Sequence, residues 1–310
     1  MRALFFGTPA IAVPSLDALH GLAEIVGVVC QPDRPAGRGL ELKPPPVKVR
    51  ALELGLSVVQ PTKIRTPEFA QWVRDANADA ALVIAYGRIL PPAILEAPRR
   101  GCLNLHASIL PKYRGAAPIT WAVVNGEKET GISLMQMDEG MDTGAVFTIH
   151  RIPIGPETTA DELGVDLGKL AADVVRADLV RVVEGAVTAT PQDHASATMA
   201  PILEKDHGRI AWDRPAHAVH DHVRGMTSWP GAFTTAQGKT LKVLESRTGA
   251  ETGSSAPPGT VVAAGKQGIE VACGAGTLRI LKAQAEGRKP LGAAELVGGR
   301  TIVAGMVLGG

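Results

Sequence analysis

Cysteine is scarce: Cys30, Cys102 and Cys273 are three in 310 residues, odd in number, far apart and set in apolar surroundings. That usage excludes a disulfide framework and a cysteine metal knuckle, and it fits a reducing cytosol. Long apolar runs are missing too. No stretch approaches the roughly 20 residues a membrane-spanning helix needs, and the run after Arg2 is broken by Gly7-Thr8-Pro9 and Pro14 before it reaches useful length as a secretory signal. A soluble, cytoplasmic protein is expected. The turn Gly7-Thr8-Pro9 after the first apolar run lacks G-x-G-x-x-G spacing, so close approach of a dinucleotide pyrophosphate is unsupported. No Ser or Cys sits at a nucleophile elbow, which disfavours a covalent acyl-enzyme.

What is present is a globular chain, 45% hydrophobic and 20% charged, long enough for two domains. A net charge of +1 hides an asymmetry: from Lys205 onward 13 Lys and Arg face 8 Asp and Glu, and before it 19 face 23. A basic carboxyl third is compatible with a polyanionic partner, though such a surplus also occurs on surfaces that bind nothing. Up to about residue 150, short β-branched runs alternate with amphipathic segments, as in a parallel sheet covered by helices. Strands are expected at 3–6, 25–30, 57–60, 81–85, 102–106 and 132–137. Leu163, Leu167, Leu170, Val174 and Leu179 give a helical stripe from about 159 to 184, capped by Thr158 or Thr159 and ended by Gly185. Beyond, 188–204 is polar and aperiodic and reads as a linker. Then come a short helix near 216–224 and strands near 240–245, 260–264, 269–272 and 278–283, the pattern of a small barrel. The domains are therefore placed at 1–187 and 205–310.

Cys102 to Gly115 is the most informative stretch. Period-two alternation sends Leu103 and Leu105 to one face of a strand and Asn104 and His106 together to the other. A Pro/Gly loop with Lys112 and Arg114 follows, at the carboxyl end of a strand where α/β sheets bind ligands. Asp142, in a loop between two apolar strands and bracketed by Gly140 and Gly144, could be held against the end of the sheet and is the best third member, able to fix the imidazole tautomer. Such a set resembles acyl-transfer machinery in which an amide and an imidazole stabilise a developing oxyanion, worth roughly 3–4 kcal/mol per donor. On spacing alone, a buried Asn and His that merely hydrogen-bond neighbouring loops, and an Asp that merely forms a turn, explain the residues as well. His217, His220 and His222 lack a Cys or carboxylate to complete a tetrahedron, and no metal is expected.

Asn104-x-His106, the run Ser108-Ile109-Leu110-Pro111-Lys112-Tyr113-Arg114-Gly115 and Asp142 together resemble the 10-formyltetrahydrofolate-dependent formyltransferase family. The segments 31–39 and 136–144 are similar to its methionyl-tRNA branch, and Ser228-Trp229-Pro230-Gly231 extends the likeness into the carboxyl domain. The resemblance implies a Rossmann-like, mostly parallel α/β sheet domain followed by a small OB-like β-barrel that binds tRNA. It implies formyl transfer from 10-formyltetrahydrofolate, as co-substrate and without metal, to the α-amino group of methionyl initiator tRNA by direct amine attack. Asn104, His106 and Asp142 match the catalytic trio. Ser108, Ile109, Leu110 and Pro111 match the segment whose backbone contacts the folate, and Ile89 and Leu90 match residues lining the pterin pocket. The 32–46 loop matches an insertion that approaches the tRNA acceptor end, with Arg38 probing the first base pair and Arg34 and Lys43 flanking it. Glycines around Arg38 keep that segment adaptable until phosphates order it.

Lys112 and Arg114 are assigned to the tRNA, with the glutamyl tail of the folate as a competing anion and ordinary solvated loop charges as the bland alternative. One position departs from the family: Ala107 stands where many relatives carry Gly. Two rivals remain, a formyltransferase for an amino-sugar nucleotide or purine precursor, and a catalytically inactive tRNA-binding protein. The basic barrel argues against the first and the intact trio against the second. A monomer is expected.

Overall fold

Leu4, Phe5 and Phe6 are wholly buried although successive side chains of a strand point to opposite faces. A strand covered on both faces belongs inside a parallel sheet; each of these side chains contributes roughly 1.5–3 kcal/mol by leaving water. The computed structural model describes residues 1–36, 41–250 and 255–309. Its contacts divide into two units, one of Met1–Pro118, Glu129–Pro153 and Gly164–Pro201, the other of Ile119–Lys128, Ile154–Leu163 and Ile202–Gly310.

Strands of the first unit are β1 (Arg2–Gly7), β2 (Glu24–Val29), β3 (Arg34–Ala36), β4 (Glu41–Lys43), β5 (Val58–Val59), β6 (Ala80–Ile84), β7 (Cys102–His106), β8 (Arg114–Gly115), β9 (Glu129–Gln136), β10 (Val146–Pro153) and β11 (Met199–Ala200). Seven form one sheet in the order β10-β9-β7-β6-β1-β2-β5. From β5 to β7 the pairing is parallel; β9 and β10 are antiparallel additions. The mostly parallel sheet anticipated from the sequence is therefore present. Strand order reverses at β1, whose carboxyl end is the crevice where such sheets take ligands. The helix Pro67–Asp75 shows how the covering layer arises: Thr66 caps it by accepting the Phe69 amide at 3.3 Å, Pro67 opens it, and Phe69, Ala70 and Val73 are buried.

Several elements differ from the sequence expectation. The β3–β4 hairpin was not anticipated, and the strand expected after Gly144 is the half-exposed edge strand β10 rather than an apolar one. The stripe from 159 onward is helical over Ala160–Val174 and Val180–Val183, with a π-helical turn at Val175–Leu179. Thr159 and Glu162 cap it reciprocally, the Glu162 amide donating to Thr159 Oγ1 at 3.2 Å and the Thr159 amide to Glu162 Oε2 at 2.9 Å. Gly185 follows at φ +83°. The stretch 188–204, read as a linker, is structured: Thr190 bridges Val146, and β11 pairs in parallel with β8. Its pairing is non-local, so no periodicity announces it.

The second unit holds the helix Ala216–Gly225 and the strands β12 (Phe233–Ala236), β13 (Lys239–Thr248), β14 (Val261–Gly265), β15 (Gly268–Ala272), β16 (Thr277–Ala285) and β17 (Leu291–Gly292). Antiparallel pairing runs β12-β13-β16-β15-β14, with β17 on β16. Both edges meet the carboxyl-terminal segment: the Val261 amide donates to the Met306 carbonyl and the Leu308 amide to that of Gly259, each at 2.8 Å, and the Gly309 amide donates to Thr235 at 2.9 Å. The sheet is thereby closed into a barrel, packed with Leu241, Val243, Ile269, Val271, Leu278 and Ile280. His220 lies buried against Ser246 Oγ at 3.0 Å and the Pro156 carbonyl at 3.2 Å. His222 is also buried, desolvation lowering its pKa, whereas His217 is exposed. Among the described residues no group of side chains is arranged to hold a metal, and no helix is long and apolar enough to cross a membrane. All three cysteines are buried, and burial pushes the Cys102 thiol up to about 12 and those of Cys30 and Cys273 to about 11.

Gly259 tests the closure. It sits at φ +86°, and a Cβ there would run into the Leu308 carbonyl. Gly259→Ala is expected to destabilise the barrel by roughly 2 kcal/mol or more, visible as a lowered thermal midpoint of the carboxyl-terminal unit in calorimetry.

Candidate active site

Antiparallel β9 sets the geometry. His106 pairs with Ser133 and Leu103 with Gln136, so β9 ends beside the start of β7, and the loop to β10 leaves the sheet there. It then folds back over the face that presents Asn104 and His106, rather than standing at the end of the sheet. Asp142 Oδ1 comes within 3.5 Å of Asn104 Nδ2, and Oδ2 within 3.6 Å of His106 Nδ1. The structure therefore brings these three side chains together. Asn104 is 9% exposed and His106 6%. Asp142 takes φ +53° and accepts the Gly115 amide at 2.8 Å on Oδ2.

The imidazole is oriented by a different group from the one expected. His106 Nε2 lies 2.8 Å from the Tyr113 carbonyl. A carbonyl only accepts, so Nε2 carries its hydrogen and Nδ1 is the nitrogen that can exchange a proton beside Asp142. Tyr113, at φ +60°, thus fixes the tautomer that was assigned to Asp142.

The loop after β7 is held from within. Ser108 Oγ donates to the Lys112 carbonyl at 2.6 Å; Ser133 Oγ donates to the Ser108 carbonyl at 2.7 Å and accepts the Leu110 amide at 3.1 Å. Two backbone groups expected to meet a ligand are therefore already engaged. Ser108 and Leu110 are buried, Ile109 and Pro111 half-buried. Ile89, 57% exposed, and buried Leu90 line a cavity of about 510 Å³ with Ile64, Ala70, Pro91 and Glu139; residues 108–111 do not line it.

The expected tRNA-facing cations divide. Arg34 and Lys43 are exposed and face each other across the β3–β4 hairpin; Arg38 lies outside the described residues. The root of the hairpin is pinned: Asp33 takes Lys48 at 2.8 Å and Gln60 at 2.7 Å, and those two hydrogen bonds hold its carboxyl below the usual range. Lys112 is exposed. Arg114 corrects the expectation: it is buried, its Nε and Nη2 donating to Gln192 Oε1 at 3.1 and 2.7 Å, with Nη2 3.1 Å from His194 Nδ1. A guanidinium so enclosed does not present itself to a phosphate. Sequence reasoning also missed Gln192, whose Nε2 donates to the carbonyls of Asp142 and Gly144. Lying in an aperiodic stretch, it had no local signal.

A sheet whose strand order reverses at β1, a buried amide–imidazole–carboxylate cluster and a closed barrel define a group-transfer enzyme. Residues 1–177 match the formyl transferase family and residues 202–301 the formyl transferase C-terminal domain. The chain belongs to the formyl transferase family. It is 71% identical to the methionyl-tRNA formyltransferase of Sorangium cellulosum (strain So ce56) over 310 residues, the whole of both chains. With that of Geobacter metallireducens (strain ATCC 53774 / DSM 7210 / GS-15) it shares 47% over 307 residues, 99% of this chain and 98% of the other. An N-formyltransferase from Helicobacter canadensis, solved with folinic acid and dTDP-3-aminofucose, shares the fold at a TM-score of 0.69 and 17% identity, over 92% of this chain and 99% of that one.

The Asp142 loop has no room at its base. A Cβ on Gly144 would run into the Gln136 carbonyl. Gly144→Ala is expected to force the loop off the sheet and lower the thermal midpoint of the first unit by several degrees in calorimetry.

Proposed function

We propose that this chain transfers the formyl group of 10-formyltetrahydrofolate to the α-amino group of methionyl initiator tRNA, in the cytoplasm and as a monomer. The observation that carries the reading is the convergence of Asn104, His106 and Asp142 in a chain of this family, with no nucleophilic Ser or Cys among them. The free amine attacks the formyl carbon directly. Asn104 donates to the oxyanion that develops. His106 Nδ1, whose lone pair faces the cluster because Nε2 is bound to Tyr113, takes the proton the amine loses. The imidazolium so formed pairs with Asp142, donates towards the oxyanion, and passes the proton to the departing tetrahydrofolate nitrogen. Protons balance between amine and leaving group.

The apolar cavity at Ile89 and Leu90 has the size and lining for a ring system, which supports its use by the pterin. We assign 1–187 to catalysis and 205–310 to tRNA binding; exposed Lys239, Lys242, Lys266, Arg288 and Lys289 give the barrel a basic surface for phosphates. Arg34 and Lys43 carry the hairpin's share, with Arg38 between them in sequence and Lys112 on the loop after β7.

Incubation with 10-formyltetrahydrofolate and, in parallel, methionyl initiator tRNA, methionyl elongator tRNA and an amino-sugar nucleotide should formylate the first; formylation of the sugar alone would refute the proposal. His106→Ala should cut turnover by about 10²–10⁴-fold with tRNA affinity nearly unchanged, and equal loss of both would mark a structural histidine. Lys43→Ala should reduce the slope of log affinity against log salt by about 1, measured by filter binding at several salt concentrations; an unchanged slope removes the hairpin from the tRNA contact.

A further inference from the structure

We propose that Gln192 is a positioning residue for the reaction, a clamp that holds the Asp142 carboxylate against His106. The inference rests on the catalytic role given above to Asp142. Gln192 is buried, and its amide is fully used: both Nε2 hydrogens are donated, to the Asp142 carbonyl at 2.9 Å and the Gly144 carbonyl at 2.7 Å, and Oε1 accepts Arg114 Nε at 3.1 Å and Nη2 at 2.7 Å. The orientation is chemically unambiguous, since the reverse would set NH₂ against a guanidinium and oxygen against two carbonyls. Asp142 needs such a hold. Its φ of +53° is a conformation a non-glycine residue keeps only when its surroundings impose it.

Arg114 makes the clamp rigid from the other side. It lies on β8, which β11 pairs in parallel, and the next residue of β8, Gly115, donates its amide to Asp142 Oδ2. The Asp142 loop is therefore held at its backbone by Gln192 and at its carboxylate by Gly115, and both are tied to Arg114. His194, 3.1 Å from Arg114 Nη2, completes the enclosure. Gln192 touches no reacting atom in this scheme; it acts through the carbonyls on either side of Thr143.

Gln192→Met keeps the volume and removes both donors. In single-turnover assays on methionyl initiator tRNA it should lower kcat by at least tenfold while KM for tRNA stays within threefold. On an Asp142→Ala background the same change should cost nothing further, because its effect passes through that carboxylate. Amide hydrogen exchange across 138–144 should also rise. A folded Gln192→Met enzyme with wild-type kcat, an undiminished loss on the Asp142→Ala background, or unchanged exchange in 138–144 would each overturn the inference. If Gln192→Met does not fold, the Arg114→Met/Gln192→Met pair, which leaves neither partner orphaned, is read the same way. The exchange measurement is independent of turnover, so a wild-type enzyme inactive on methionyl-tRNA would sink the reaction while the clamp was still judged by exchange.

Discussion

Asn104 and His106 are polar side chains buried on one face of a central strand, and burying such groups is costly unless every donor and acceptor finds a partner. Their requirement organises the surrounding structure. The Tyr113 carbonyl accepts from Nε2 of the imidazole, Asp142 accepts from the Asn104 amide and lies 3.6 Å from Nδ1, and the Gly115 amide donates to Asp142 in turn. The partners come from a loop seven to eleven residues onward and from another nearly forty residues onward. The strand supplies only the direction in which two side chains point; their environment is assembled by the return of β9 and by the 188–204 stretch.

This division explains what was legible in the sequence. The limits of β7 and the shared face of Asn104 and His106 follow from two-residue periodicity, a property of the strand itself. Leu163 to Leu179 wrote the long helix just as locally. The identity of Asp142 as third member came from the spacing of glycines and from family likeness. What escaped notice depends on non-local pairing. Arg114 reads as an exposed loop cation until β11 and Gln192 are seen to cover it, and β3 is a hairpin strand whose partner alone defines it. The group that sets the His106 tautomer escaped notice for the same reason, because it is the Tyr113 backbone carbonyl, which has no side-chain signature.

The two units solve the problem of strand edges differently. The amino-terminal sheet ends in short β5 on one side and β10 on the other, whose alternately exposed side chains mark it as an edge. The carboxyl-terminal sheet leaves no long edge, since residues 305–309 hydrogen-bond to both β12 and the entry to β14. The exposed lysines and arginines of this unit stand on the outer surface and loops of the barrel.

The matches to the two formyl transferase domains end at residue 177 and begin again at residue 202, and the interval between them, which the full-length relatives share, holds Gln192, His194 and the strand that pairs with Arg114 and Gly115. The ends of the domain matches and the borders drawn by hydrogen bonds therefore fall in different places. A chain that drifts in this interval can alter the tension on a carboxylate without altering any group that meets the substrate. The rate of the chemistry would then be open to tuning from a stretch that lies outside both domain matches.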